Sequence, residues 1–149
     1  MKIVLILLTL VLLLTPASAI TRALVFEFAV DGVNHSVGKE AASYLATAIA
    51  YLDGFEVVDP KVTQKLADNE KVESYDVDAA MAVKIAQNPH AAGANLAAIG
   101  KVEKDGSSYK ITVTYVNTVD GSIITTKSAT GSGIYSISRS IDKIVGLLE

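Results

Sequence analysis

Between residues 93 and 130 the chain falls into three β-rich runs divided by two Asp-Gly pairs. Gly93 to Gly100 leads through Lys104-Asp105-Gly106 into Tyr109 to Asn117, and Asp120-Gly121 leads into Ser122 to Thr130. In the middle run Tyr109, Ile111, Val113 and Tyr115 share one face, while Lys110, Thr112 and Thr114 share the other. That alternation predicts a strand with one buried side, and helices are expected to cover it. Asp and Gly tolerate the positive φ of tight hairpins, so the three runs read as an antiparallel meander.

Elsewhere the period is that of a helix. Ala23 to Val30, rich in Val and Phe, predicts one largely buried first strand that ends at Asp31-Gly32. Asn34, His35 or Ser36 then caps a helix whose Ala41, Leu45, Ala48, Ile49 and Leu52 form one apolar stripe. Asp53-Gly54 stops it, and Phe55 to Val58 predicts a short second strand closed by Asp59-Pro60. Lys61 to Asn69 predicts a short polar helix with Val62 and Leu66 turned inward, followed by an acidic, weakly structured connection from Glu70 to Asp78. Asp78 caps a helix striped by Met81, Ala82, Ile85 and Ala86, and Asn88-Pro89 breaks it. After the meander, Ile134, Ile137, Ile141, Ile144, Val145 and Leu148 line one face of a last helix. The order β-α-β-α-α-β-β-β-α predicts a single three-layer α/β domain with a mixed sheet of about five strands. Its first crossover is expected to be right-handed and to join two parallel strands.

Residues 1 to 19 stand outside this pattern. Lys2, the aliphatic run Ile3 to Leu14 interrupted only by Thr9, and Ala17-Ser18-Ala19 have the order of a secretory leader with its cleavage site. The run is about 12 residues, short of the roughly 20 that cross a bilayer as a helix. Cleavage between Ala19 and Ile20 is expected, leaving residues 20–149 as one domain, periplasmic or secreted and not inserted in the membrane. The chain has no cysteine, so neither a disulfide nor acylation at the cleavage site is open to it. Lys and Arg number 13 against 16 Asp and Glu, a net charge of −3 that becomes one unit more negative without Lys2. An acidic domain with no basic stripe is a poor partner for nucleic acid.

The segment from Gly32 to Lys39 sits between a strand and a helix, where a phosphate loop would sit. Such a loop has four residues between its glycines and Ser or Thr after the lysine; here five intervene and Glu40 follows. What remains is a polar loop before free helix amides, with Asn34, His35, Ser36 and Lys39 as candidate contacts for a partner or an anion. Simple helix capping is the alternative. His35 and His90 lie in separate loops without metal-site spacing, and Asp76-Val77-Asp78 lacks the other ligands of a calcium loop. No metal, no cofactor and no catalytic residue is expected, since no Gly-x-Ser-x-Gly elbow exists either.

Four motifs in order resemble a known family. They are Leu24-Val25-Phe26-Glu27-Phe28, Phe55-Glu56-Val57-Val58-Asp59, the run Gly93 to Gly100, and Val116-Asn117-Thr118-Val119-Asp120-Gly121-Ser122-Ile123. Together they are similar to the small periplasmic α/β domain family of CsgG, the TolB amino-terminal domain and LpoB, an activator of penicillin-binding proteins. Asn95 stands where that pattern usually has Asp, and Asn88-Pro89-His90 looks like an insertion. The resemblance, with the leader, implies an exported, non-catalytic envelope protein acting through protein contacts, by self-association or by docking onto other envelope proteins. A soluble periplasmic carrier of a small ligand is the alternative reading, and an enzyme the third.

Overall fold

A computed structural model describes residues 20–146. The leader, its cleavage residue Ala19, and Leu148 of the last apolar stripe lie outside the described residues. The elements are β1 (Thr21–Val25), β2 (Ala29–Asp31), α1 (His35–Ala50), β3 (Phe55–Val57), α2 (Pro60–Asn69), α3 (Ala79–Ala86), β4 (Leu96–Asp105), β5 (Ser108–Asn117), β6 (Ile123–Ser132) and α4 (Ser136–Val145). The sheet runs β3-β1-β4-β5-β6, with β2 paired to β4 beyond the end of β1. β1 is parallel to β3 and β4, and the meander from β4 to β6 is antiparallel as expected.

Helices cover both faces, but unequally. On one face α1 and α4 bury Leu45, Ile49, Ile141 and Ile144 against Val25, Val102, Ile111, Val113 and Tyr115. On the other, α2 and α3 bury Leu66, Ala82 and Ile85 against Leu24, Phe26, Ala97 and Val116. This second layer ends there, leaving Thr112 and Thr114 of β5 beside Ser128 and Thr126 of β6 without a helix above them. The middle strand of the meander therefore buries its Tyr109, Ile111, Val113, Tyr115 face, as its alternation requires.

The first strand departs from expectation. The run Ala23 to Val30 is two strands, because pairing with β4 lapses over Glu27 and Phe28, after the Phe26 N–H has donated to the Ala98 carbonyl at 3.2 Å. Phe26 drops into the α2–α3 core and Phe28 into the α1–α4 core, so each ring finds apolar neighbours on a different side of the sheet. Phe28 lies flat on Gly100, where any side chain would overlap its ring. Its carbonyl sits against Gly38 of α1, where a Cβ would collide with backbone. Two glycines thus let a phenylalanine and a helix approach the sheet together.

Three smaller differences follow from where helices begin and end. α4 starts at Ser136, so Ile134 precedes it and is half exposed instead of joining the stripe. In α2 the buried residues are Thr63, Leu66 and Ala67, and Val62 only borders the core. The acidic connection contains a 3-10 turn, Ser74–Asp76, that buries Ser74, with Val77 buried after it. Asp59 and Asp78 cap α2 and α3, accepting from the N–H of Lys61 and Met81 at 2.8 Å each. The break at Asn88-Pro89 is a second 3-10 turn, Pro89–Ala91, with Asn88 accepting from the N–H of His90.

Candidate functional site

α1 follows β2 across the turn at Asp31-Gly32. Asn34 is its N-cap residue by backbone geometry, but its side chain makes no capping hydrogen bond. Asn34, His35 and Ser36 are all exposed. His35 packs against Tyr75, ring centroids 4.7 Å apart, which ties the start of α1 to the acidic connection. The carboxylate of Glu73, then partial burial, Asp76 and Glu27, hold the Tyr75 phenol above its ordinary pKa. His35 thus has a packing partner.

Lys39 has a different setting. One turn further along α1, it lines a cleft of about 260 Å³ with Ser43 and Ala46. The opposite wall is the start of α2, with Pro60, Lys61 and Gln64, and the floor includes Val25, Glu27 and Ser74. The buried hydroxyl of Ser74 accepts the Glu27 N–H at 3.0 Å and fixes the loop that leaves β1. Neither Lys39 nor Lys61 forms an ion pair among the described residues. Two lysines thus line one cleft, and Glu27 is the one acidic residue among its lining.

The position has a topological reason. From β1 the chain crosses to β3 on one side, and from β3 it returns past β1 to β4 on the other. A gap opens outside the carboxyl ends of parallel strands where successive connections diverge in this way, and ligands of α/β proteins use it. Of the four residues singled out from sequence, only Lys39 reaches this gap. Lys61 and Ser74 belong to other segments of the chain and were not anticipated; the signal available was Asp59-Pro60, which places a helix start directly after a parallel strand.

A second surface feature lies on the far side of α1. Tyr44 and Tyr135, the latter 90% exposed, flank a groove shared with Val37, Ile134 and Ile137. His90 lies against α2 beside Val62 and Lys65, well apart in sequence and setting from His35. Among the described residues no three His, Asp or Glu side chains gather to hold a metal ion, and no helix is long and apolar enough to cross a membrane.

No protein-family model and no curated protein matches the sequence. Solved structures do match it. The LpoB carboxyl-terminal domain from Salmonella enterica is 16% identical over 83% of this chain and 91% of its own, with a TM-score of 0.60. A lipoprotein from Neisseria meningitidis is 13% identical over 86% of this chain and 97% of its own, with a TM-score of 0.61. The PelC dodecamer from Paraburkholderia phytofirmans is 15% identical, covering 89% of each chain, with a TM-score of 0.55. The fold is LpoB-like. At these identities the likeness is one of fold.

With the fold in view, Asn95 has a structural role. Its side-chain oxygen accepts the Arg22 N–H at 2.8 Å, and its amide donates to the Ile20 carbonyl at 3.5 Å. Asp could do the first and not the second. Asn at this place therefore ties the first residue of the described domain to the start of β4.

Proposed function

We propose that this is an exported, non-catalytic protein of the cell envelope that acts by binding another protein, with the α1–α2 cleft receiving an acidic group of that partner. The observation that carries this reading is the pair Lys39 and Lys61, in no ion pair among the described residues and lining one cleft at the carboxyl end of β1. A carboxylate between two ammonium groups gains a charge-assisted hydrogen bond from each. The cleft is open and small, which suits one side chain or a chain terminus better than a whole enzyme substrate. Exposed Tyr44 and Tyr135 add the kind of aromatic anchors that protein interfaces favour.

The wider setting supports the same reading. Residues 1–19 have the order of a cleaved leader, and the solved structures that share this fold include a lipoprotein and a dodecamer. This chain has no cysteine for acylation, so release into the periplasm follows cleavage. Kinship with the wider family of CsgG and the TolB amino-terminal domain rests on the four sequence motifs. Protein recovered from the envelope should begin at Ile20; an intact Met1 in the membrane fraction would make the leader an anchor.

Crosslinking in intact cells tests the function. Lys39→Glu combined with Lys61→Glu should lose a reproducible envelope partner while the protein melts as wild type. Retention of the partner by this variant would remove the cleft from the interface. The cleft itself favours one other reading, a carrier of a small anionic ligand. Native mass spectrometry of protein purified from cells separates the two, since a carrier arrives with a small anion bound and the double variant arrives without it.

A further inference from the structure

The two edges of the sheet are unlike. β3, at one edge, has three residues, while β6, at the other, has ten, no proline, and Lys127 as its one charged residue. The Gly133 N–H donates to the Ser107 carbonyl at 2.9 Å, and the register carries this pairing to Tyr109–Gly131, Ile111–Ala129 and Val113–Lys127. Backbone groups of successive residues in an antiparallel strand point to opposite sides. Thr126, Ser128 and Thr130 therefore direct their N–H and C=O groups away from β5, out of the sheet. The hydroxyls of Thr126 and Ser128 do not shield that edge. Ser128 pairs with Thr112 at 3.0 Å and Thr126 with Thr114 at 3.2 Å, back across the strand pair.

Natural edges are usually shortened, charged or covered, because a long row of unpaired backbone groups invites another strand. Here the row, uncovered among the described residues, adjoins an open notch of about 600 Å³ formed by Ser128, Ala129, Thr130, Lys143, Ile144 and Gly146. The charged residues of β6 and of the notch lining, Lys127 and Lys143, are both basic. From Gly121 to Ile141 the chain has no acidic residue, and Lys127 and Arg139 fall within that stretch. Lys127 lies opposite Val113, hence on the α4 face, the same face on which Lys143 lines the notch. At the start of the strand Ile123 and Ile124 are 61% and 56% exposed.

We propose that β6 is a strand-addition site for an extended acidic segment of a partner protein. The incoming strand pairs with the outward groups of Thr126, Ser128 and Thr130, sets carboxylates against Lys127 and Lys143, and covers Ile123 and Ile124. A second copy of β6 fits less well, because antiparallel self-pairing brings the Lys127 and Lys143 pairs of two copies together and like charges across strands are unfavourable. The site is independent of the α1–α2 cleft, from which β4 and β5 separate it in the strand order. A protein with both is able to hold two partners at once.

The test uses hydrogen exchange on the purified protein with a blocked peptide of about nine residues alternating Val and Glu, and a Val–Lys peptide of equal length as its control. The acidic peptide should slow exchange at Thr126, Ser128 and Thr130 by about tenfold or more, and the basic one should not. Ser128→Pro removes one outward N–H and should abolish protection at Thr126 and Thr130 while leaving the fold intact, since edge strands accept proline on the solvent side. Lys127→Glu combined with Lys143→Glu leaves every backbone group in place and should reverse the preference between the peptides. Equal protection by both peptides, protection by neither, or protection that survives Ser128→Pro would overturn the proposal. So would a peptide-free dimer in sedimentation that protects these three amides and that Ser128→Pro dissociates, because a second copy would then occupy the edge.

Discussion

The parallel half of the sheet and the meander obey different sequence rules, and β4 passes from one to the other within a single strand. Leu96, Ala97 and Ala98 are buried in succession, because helices lie on both faces where β4 runs beside β1. Past Ile99, which still borders the α2–α3 core, burial alternates, with Gly100 and Val102 inside and Lys101 exposed, because only α1 and α4 remain. A strand buried on both sides needs a continuous apolar run, whereas one covered on a single side needs every second residue. The second helix layer, α2 with α3, makes this difference, and it reaches no further along β5 than Val116. The bare hydroxyl face and the open β6 edge both lie beyond its reach.

The strongest check compares neighbouring residues. Leu24 and Val25 of β1 point to opposite faces and both are buried, so Leu24→Ala and Val25→Ala should each destabilise, by about 2–4 kcal/mol for the leucine and about 1–3 for the valine. In β5 the corresponding pair should split. Val113→Ala should cost an amount like that of Val25→Ala, while Thr112→Ala should stay within about 1 kcal/mol, since Thr112 faces the uncovered side. Chemical denaturation of the four variants measures this. Equal losses at Thr112 and Val113 would mean that the meander is covered on both faces.

This contrast also explains what the sequence could tell. Alternation in β5, the Asp-Gly turns and the stripes through Leu45, Ile85 and Ile141 are local signals, and each element they predict is present with those three residues buried. The split of the first strand was hidden because Leu24 to Phe28 is nearly continuous in hydrophobicity, and such a run does not mark where it leaves a ladder. Its cause lies at Gly38 and Gly100, distant positions that lack a side chain. The cleft was hidden for the same reason. Lys39 was visible as part of a polar loop, but Lys61 and Ser74 join it only when β3 and α2 are folded back beside α1. His35 looked like a free polar contact, whereas a tyrosine 40 residues along the chain packs on it.

The junction between the halves is the next place to probe. Gly38→Ala and Gly100→Ala should each cost about 1–3 kcal/mol, as overpacking does when a neighbour cannot yield. The two should respond differently to a smaller Phe28. Phe28→Leu should partly rescue Gly100→Ala, which collides with the ring, but not Gly38→Ala, which collides with the Phe28 carbonyl. Rescue of both would show that the side chain alone sets the distance between α1 and the sheet.

A smaller effect belongs to the covered face of the meander. The Tyr115 hydroxyl is buried with no hydrogen-bond partner among the described residues, and burial raises the phenol's pKa above its ordinary value near 10. A raised folded-state pKa gives stability that is complete below the unfolded value and is lost as pH climbs above it, because only the unfolded chain then releases the proton. Stability should therefore fall in alkali from about pH 10. Tyr115→Phe should weaken that fall and, by removing an unsatisfied hydroxyl, leave neutral-pH stability unchanged or raised by about 1 kcal/mol. A loss at neutral pH would reveal a partner for the hydroxyl.

The smallest difference separates the helix starts of the two layers. Asp78 and Asp59 accept backbone N–H groups at 2.8 Å in the layer that stops short of the meander, whereas Asn34 at the head of α1 accepts none through its side chain. A side-chain cap contributes about 0.5–2 kcal/mol when it is made. Asp78→Ala should therefore lower stability by about 1 kcal/mol, and Asn34→Ala by no more than about 0.5, although Asn and Asp are equally good caps by residue type. Thermal melts of the two variants side by side measure the gap. The reason lies in what each helix start must do: α3 is short and needs its first turn closed, while α1 is 16 residues long and is gripped by Phe28 through Gly38. An equal loss at Asn34 would mean that the head of α1 is capped in solution.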